Sequence, residues 1–170
     1  MSKNKKITLD SPVGIPETLK LFLDLSSQLS GFSETELWGT GMLETYYDEV
    51  NLIIGQREMG EFLSVYYDLK KTNRDLKTEI DYRIMKNDHY APIAKNIIRL
   101  WYIGAWAQLP LEWRDTYGAT SFDTNHIVSA KAYQEGLVWI AGGAHPMGAK
   151  QQGFGAWAVE PKEQGIGGVK

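Results

Sequence analysis

Pro92-Ile93-Ala94-Lys95-Asn96-Ile97-Ile98-Arg99-Leu100-Trp101-Tyr102-Ile103-Gly104 decides the fold. Proline suits the first turn of a helix, where its missing N–H leaves no bond unmade. Ile93, Ile97, Leu100 and Trp101 then recur at helical spacing, and Gly104 stands where a left-handed cap is wanted. Apolar residues fall on two sides of this helix, which predicts the central, most buried element of a helical core.

Upstream, Pro16 opens a helix carrying Leu19, Phe22, Leu23, Ser26 and Leu29, closed by Gly31. Ser33 and Glu36 have capping-box spacing and start a second helix, with Leu37, Trp38, Met42, Tyr46 and Ile53 turned inward. A third stripe is Met59, Phe62, Leu63, Tyr66 and Leu69. Thr72 and Asp75 repeat the capping pattern before Leu76, Ile80 and Ile84. Downstream, Leu109 to Asn125 reads as irregular, and a sixth helix runs through Ala130, Tyr133, Leu137 and Val138. No period-two alternation is bounded by hairpin turns, so strand content should be minor.

The expected fold is all-α: one irregular bundle of about six helices with an extended tail rich in glycine and aromatics. Residues 1–15 form a polar arm, 16–140 the helical domain, and 141–170 the tail, packing on the domain or on a partner. Residues 140–170 hold eight of the 17 glycines, together with Pro146, Phe154, Trp157 and Pro161, a composition that cannot sustain a helix.

With 170 residues, one core can form without staples. The chain has no cysteine, so disulfides, thiolate metal sites and cysteine nucleophiles are excluded. A net charge of −3, with basic clusters only at Lys3, Lys5, Lys6 and at Lys70-Lys71, does not favour nucleic acid. Ile97 to Leu109 is broken by Arg99 and Gln108 and is too short to span a bilayer, so no membrane insertion is expected. No signal-peptide run follows the first residues.

The search for chemistry finds no catalytic, cofactor-binding or metal-binding set. Gly39-Thr40-Gly41 begins a dinucleotide fingerprint, but Glu44 replaces the third glycine and no strand precedes it. Gly165-Ile166-Gly167-Gly168 has no helix after it. His89, His126 and His145 stand apart without metal-ligand spacing. Glu44 and Asp48 share a helical face and suit a solvated surface. What stands out instead is aromatic content, six Trp and nine Tyr, residue types that anchor protein interfaces. Trp38, Trp101 and Trp106 suit the core, whereas Phe154 and Trp157 have little apolar company.

Three stretches carry a family resemblance. Leu21-Phe22-Leu23-Asp24-Leu25-Ser26-Ser27-Gln28-Leu29-Ser30-Gly31, Ile98-Arg99-Leu100-Trp101-Tyr102-Ile103-Gly104, and Ala132-Tyr133-Gln134-Glu135-Gly136-Leu137-Val138-Trp139 occur in that order, followed by Gly153-Phe154-Gly155-Ala156-Trp157-Ala158-Val159-Glu160-Pro161. Together they resemble the small subunit of FAD-dependent sugar and polyol dehydrogenases, the sorbitol, glucose, fructose and glucoside dehydrogenase group. The resemblance implies a non-catalytic subunit without a cofactor of its own. It would assist folding, stability and export of a large FAD-binding flavoprotein, which often works with a cytochrome c subunit. Partner contacts are then expected at Trp101, Tyr102, Tyr133, Trp139, Pro146, Phe154 and Trp157. The twin-arginine signal of many members and the tail cysteine of some are not found; either the signal was removed or the partner carries it, giving a periplasmic complex, or the complex stays cytoplasmic. A stand-alone helical protein that binds a small molecule, and an enzyme in its own right, are the alternatives.

Overall fold

The structure, a computed structural model, describes residues 16–146 apart from Asn73. It is helical: 67% of these residues lie in helices and 3% in strands, which makes the chain all-α. The first helix, α1 (Glu17–Ser30), begins after Pro16 and stops at Gly31, whose φ of +79° lets its N–H bond to the Ser27 carbonyl. Helix α2 (Glu34–Gly39) carries the full capping box. The Ser33 hydroxyl accepts from the Glu36 N–H, and the Glu36 carboxylate accepts from the Ser33 N–H. The Ser33 hydroxyl also donates to that carboxylate at 2.7 Å, and this bond, then the one from the Ser33 N–H, holds the Glu36 carboxyl below its ordinary range.

The single helix expected from Ser33 to Ile53 is broken in two. Gly41 has a φ of +63°, and the Thr40 hydroxyl donates to the Leu37 carbonyl while accepting from the Met42 N–H. After this corner α3 (Leu43–Ile54) starts in a new direction. Leu37 and Met42 remain buried, but Trp38 is 49% exposed and does not join the core as expected.

Helix α4 (Gln56–Lys71) follows after Gly55, whose φ of +85° and ψ of 155° suit glycine alone. Its stripe of Met59, Phe62, Leu63, Tyr66 and Leu69 is buried as the spacing predicts. Thr72 does not open the next helix. It closes α4 by donating to the Leu69 carbonyl, and Asp75 caps α5 (Leu76–Ile80) by accepting from the Thr78 N–H. A π-helical turn, Asp81–Met85, continues α5 and keeps Ile84 inside.

Helix α6 (Ala91–Ile103) is the core element expected of it, with Ile93, Ala94, Asn96, Ile97, Leu100 and Trp101 buried. Beyond Gly104 the chain forms β1 (Ala105–Trp106), α7 (Leu111–Tyr117), β2 (His126–Ile127), α8 (Ala130–Gln134) and α9 (Val138–Ala141). The two strands pair antiparallel, Ala105 with Ile127 and Trp106 with His126. Helix α7 corrects the irregular reading of 109–125. It has no apolar stripe, because Trp113 is its one buried residue. The sixth helix is likewise divided, since Gly136 parts α8 from α9.

Candidate partner-binding surface

The three stretches that carry the resemblance meet at one end of the bundle. At the end of α6, Gly104 has a φ of +65°, and a Cβ there would lie 2.4 Å from the backbone of Ala132. Helix α8 therefore rests directly on the cap of α6. The chain then passes so close that a Cβ on Gly136 would stand 2.7 Å from the Tyr102 carbonyl. The Leu137 N–H donates to the Trp101 carbonyl at 3.0 Å. From the first stretch, the Ser30 carbonyl accepts from the Tyr102 hydroxyl at 3.0 Å, and Phe32 meets the Tyr102 ring edge-on.

Tyr102, Tyr133 and Trp139 thus come together, each half-buried. Tyr133 and Trp139 pack edge to face at 5.3 Å, and the Trp139 indole N–H donates to the Tyr133 carbonyl at 2.8 Å. The Tyr102 hydroxyl and the Trp139 indole N–H are both bonded inside the chain. Beside them Ile103, Val138 and Ile140 are exposed by 41%, 37% and 65%. Sequence reasoning missed these three. The signal was there for Ile103, which falls off the stripe of Ile93, Ile97 and Leu100.

Trp101 is corrected. It is 1% exposed and packs edge-on against Tyr46 at 4.9 Å, so it supports this end from beneath and offers no surface. Burial, and then the nearby Glu135 carboxylate, push the Tyr46 hydroxyl far above the usual phenol range. Pro146 is also buried. Phe154 and Trp157 lie outside the described residues.

The residues considered for chemistry are placed as follows. His89 Nε2 is 2.7 Å from the buried Glu58 carboxylate, and its ring lies between those of Tyr117 at 3.6 Å and Tyr90 at 4.4 Å. His126 Nε2 is 2.7 Å from Glu49 on α3. Neither pairing was visible in sequence, since the partners stand 31 and 77 residues apart. Both histidines tie one element to another. Glu44 and Asp48 are exposed. Among the described residues no three His, Asp or Glu side chains are grouped to hold a metal ion, and no helix is long and apolar enough to cross a membrane.

A groove of about 1240 Å³ runs between α1, α3 and α4, past Leu21, Tyr47, Leu63 and Tyr67. It is crossed by the Asp24–Lys70 ion pair. Burial, then the Asp24 carboxylate, raise the neighbouring Tyr66 hydroxyl above its ordinary range. No protein-family model matches the chain, and no curated protein or solved structure is significantly similar to it.

Proposed function

We propose that the chain is a non-catalytic accessory subunit that binds and stabilises a large FAD-dependent oxidoreductase acting on a sugar, glycoside or polyol. One observation carries the reading: the stretches that resemble such small subunits converge on an end where Ile103, Val138 and Ile140 are exposed beside half-buried Tyr102, Tyr133 and Trp139. Apolar and aromatic side chains grouped in this way suit the dry centre of a permanent interface. Such an interface buries on the order of 2,000 Å² or more. FAD belongs to the partner, and a cytochrome c subunit is a further candidate member of the complex.

The test is substitution of the exposed apolar side chains with charge. Val138→Asp and Ile140→Asp should leave the helical circular dichroism intact. Together they should lower recovery of the flavoprotein by about tenfold or more, because an unpaired buried carboxylate is strongly disfavoured. Full recovery with the double variant would remove this end from the interface.

A second reading, a stand-alone helical protein that binds a small molecule, draws on the groove beside Tyr47 and Tyr67. Its volume exceeds the roughly 300–1,000 Å³ usual for small-ligand pockets. Ligand binding by the isolated chain, abolished by Tyr67→Ala and untouched by the α9 variants, would favour it.

A further inference from the structure

Phe122 stands at the tip of a tight turn and is 55% exposed. On a slack loop such a side chain calls for no explanation, because single apolar residues are common on protein surfaces. This turn is not slack. The Asp123 N–H closes it on the Thr120 carbonyl at 3.1 Å, and the Thr124 N–H donates to the Phe122 carbonyl at 2.8 Å. On one side Thr120 is tied to the end of α3. Its N–H donates to the Ile53 carbonyl and its hydroxyl to the Leu52 carbonyl, both at 2.9 Å. On the other side the buried Asp123 carboxylate accepts from the Trp106 indole at 2.8 Å and from the Leu109 N–H at 3.1 Å. The Gln108 side chain donates to the Asp123 carbonyl at 2.9 Å.

Ordering a loop costs conformational entropy, which burial of its largest side chain would ordinarily help to offset. Here the backbone is held on both sides and the largest side chain stays outside. A group fixed in advance spares that cost when a partner binds. The surroundings point the same way. Between Gly118 and Asn125 the one charged side chain is Asp123, which is buried, so the turn offers no charge to solvent. Interface centres are poor in charge and rich in aromatic anchors. Leu52, where the turn is pinned, is itself 46% exposed.

We propose that Phe122 is a preformed anchor that seats in an apolar pocket of the large flavoprotein, alongside the α8–α9 contact. The inference rests on the accessory-subunit reading and extends its footprint. Lys131 of α8 binds the Gly41 carbonyl just before α3, and Thr120 binds the last turn of α3, so one length of that helix separates the two places. Its 12 residues span about 18 Å. An interface of the expected size gives each partner on the order of 1,000 Å², roughly 35 Å across, which reaches both. Strand β2, with Ile127 59% exposed, joins them in the chain.

The test is Phe122→Ser, with Ser121→Ala as the control in the same turn. Thermal unfolding of the isolated Phe122→Ser chain should match the wild type, since no core space is emptied. Co-expressed with the open reading frames that neighbour the gene, wild type and Ser121→Ala should yield the flavoprotein complex in equal amount. In exchange against labelled wild-type chain in that complex, Phe122→Ser should compete about thirtyfold less well, the loss expected of an interface hot spot. Phe122→Leu, which keeps an apolar side chain, should compete nearly as well as wild type. Equal competition by Phe122→Ser, an equal loss in Ser121→Ala, or a lowered melting temperature of the isolated Phe122→Ser chain would each overturn the anchor. With wild-type recovery intact, those results leave the accessory reading standing. If the wild type brings down no flavoprotein, both fall together.

Discussion

From α1 to the end of α6 the interior is made almost wholly of apolar side chains, with Phe22, Leu25, Ile53, Phe62, Ile93 and Leu100 excluded from water. Beyond Gly104 the chain adds Trp106, Leu109, Trp113 and Leu137 to that core and is fastened by single polar bonds as well. Asn96 braces both the N–H and the carbonyl of Ala107. The buried Asp123 accepts from the Trp106 indole and the Leu109 N–H. Thr120 and His126 bind α3, and Lys131 binds the Gly41 carbonyl. Apolar burial sums over many contacts and tolerates the loss of some, whereas a polar brace that loses one partner leaves the other dry and unpaired. The first region should therefore melt as a unit, and the second should be able to open by itself.

Trp101→Ala gives the largest test of that contrast. Removing a buried indole costs roughly 4 kcal/mol, and the whole helical domain should lose thermal stability together, as read by circular dichroism. Uniform melting that is unaffected by the substitution would contradict Trp101 as a core support.

Asp123→Ala comes next, at roughly 2–3 kcal/mol, because it strips charged hydrogen bonds from two buried donors. Here the expected readout is local: hydrogen exchange should rise at Leu109, Val128 and the amides between them. Protection in α1, α4 and the first half of α6 should hold. Equal loss of protection in both regions would show that they fold as one unit.

Ser33→Ala is the smallest, about 1 kcal/mol, the usual worth of an N-cap. It should fray α2, in the first region, without loosening β1–β2. A drop in β2 protection would mean that α2 and the distal segment are more tightly joined than the bonding shows.

The same contrast explains what the sequence disclosed. Stripes such as Met59, Phe62, Leu63, Tyr66 and Leu69 are readable because a helix that buries one face must repeat at its own period. The capping box at Ser33 and Glu36 was legible for a similar reason, being local. Trp38 misled because the break at Gly39–Gly41 rotates the chain, and the periodicity before a corner says nothing about the face beyond it. Asp123 looks like any loop aspartate in one dimension. Its role depends on Trp106 and Leu109 being folded back onto it. His89 and His126 were read as isolated because their carboxylate partners, Glu58 and Glu49, are distant in the chain. At the candidate surface, the sequence named residues from stretches that the fold brings to one end of the bundle. It did not distinguish Trp101, which faces in, from Ile103, which faces out.

The proposed role is tested most directly by purifying the chain twice, once alone and once co-expressed with the open reading frames that neighbour its gene. The lone protein should be colourless and inert toward sugars, and co-expression should yield a yellow complex with the two chains in fixed ratio. A lone chain that holds flavin or oxidises a sugar unaided, or a flavoprotein that folds and works equally well without it, would contradict the accessory role.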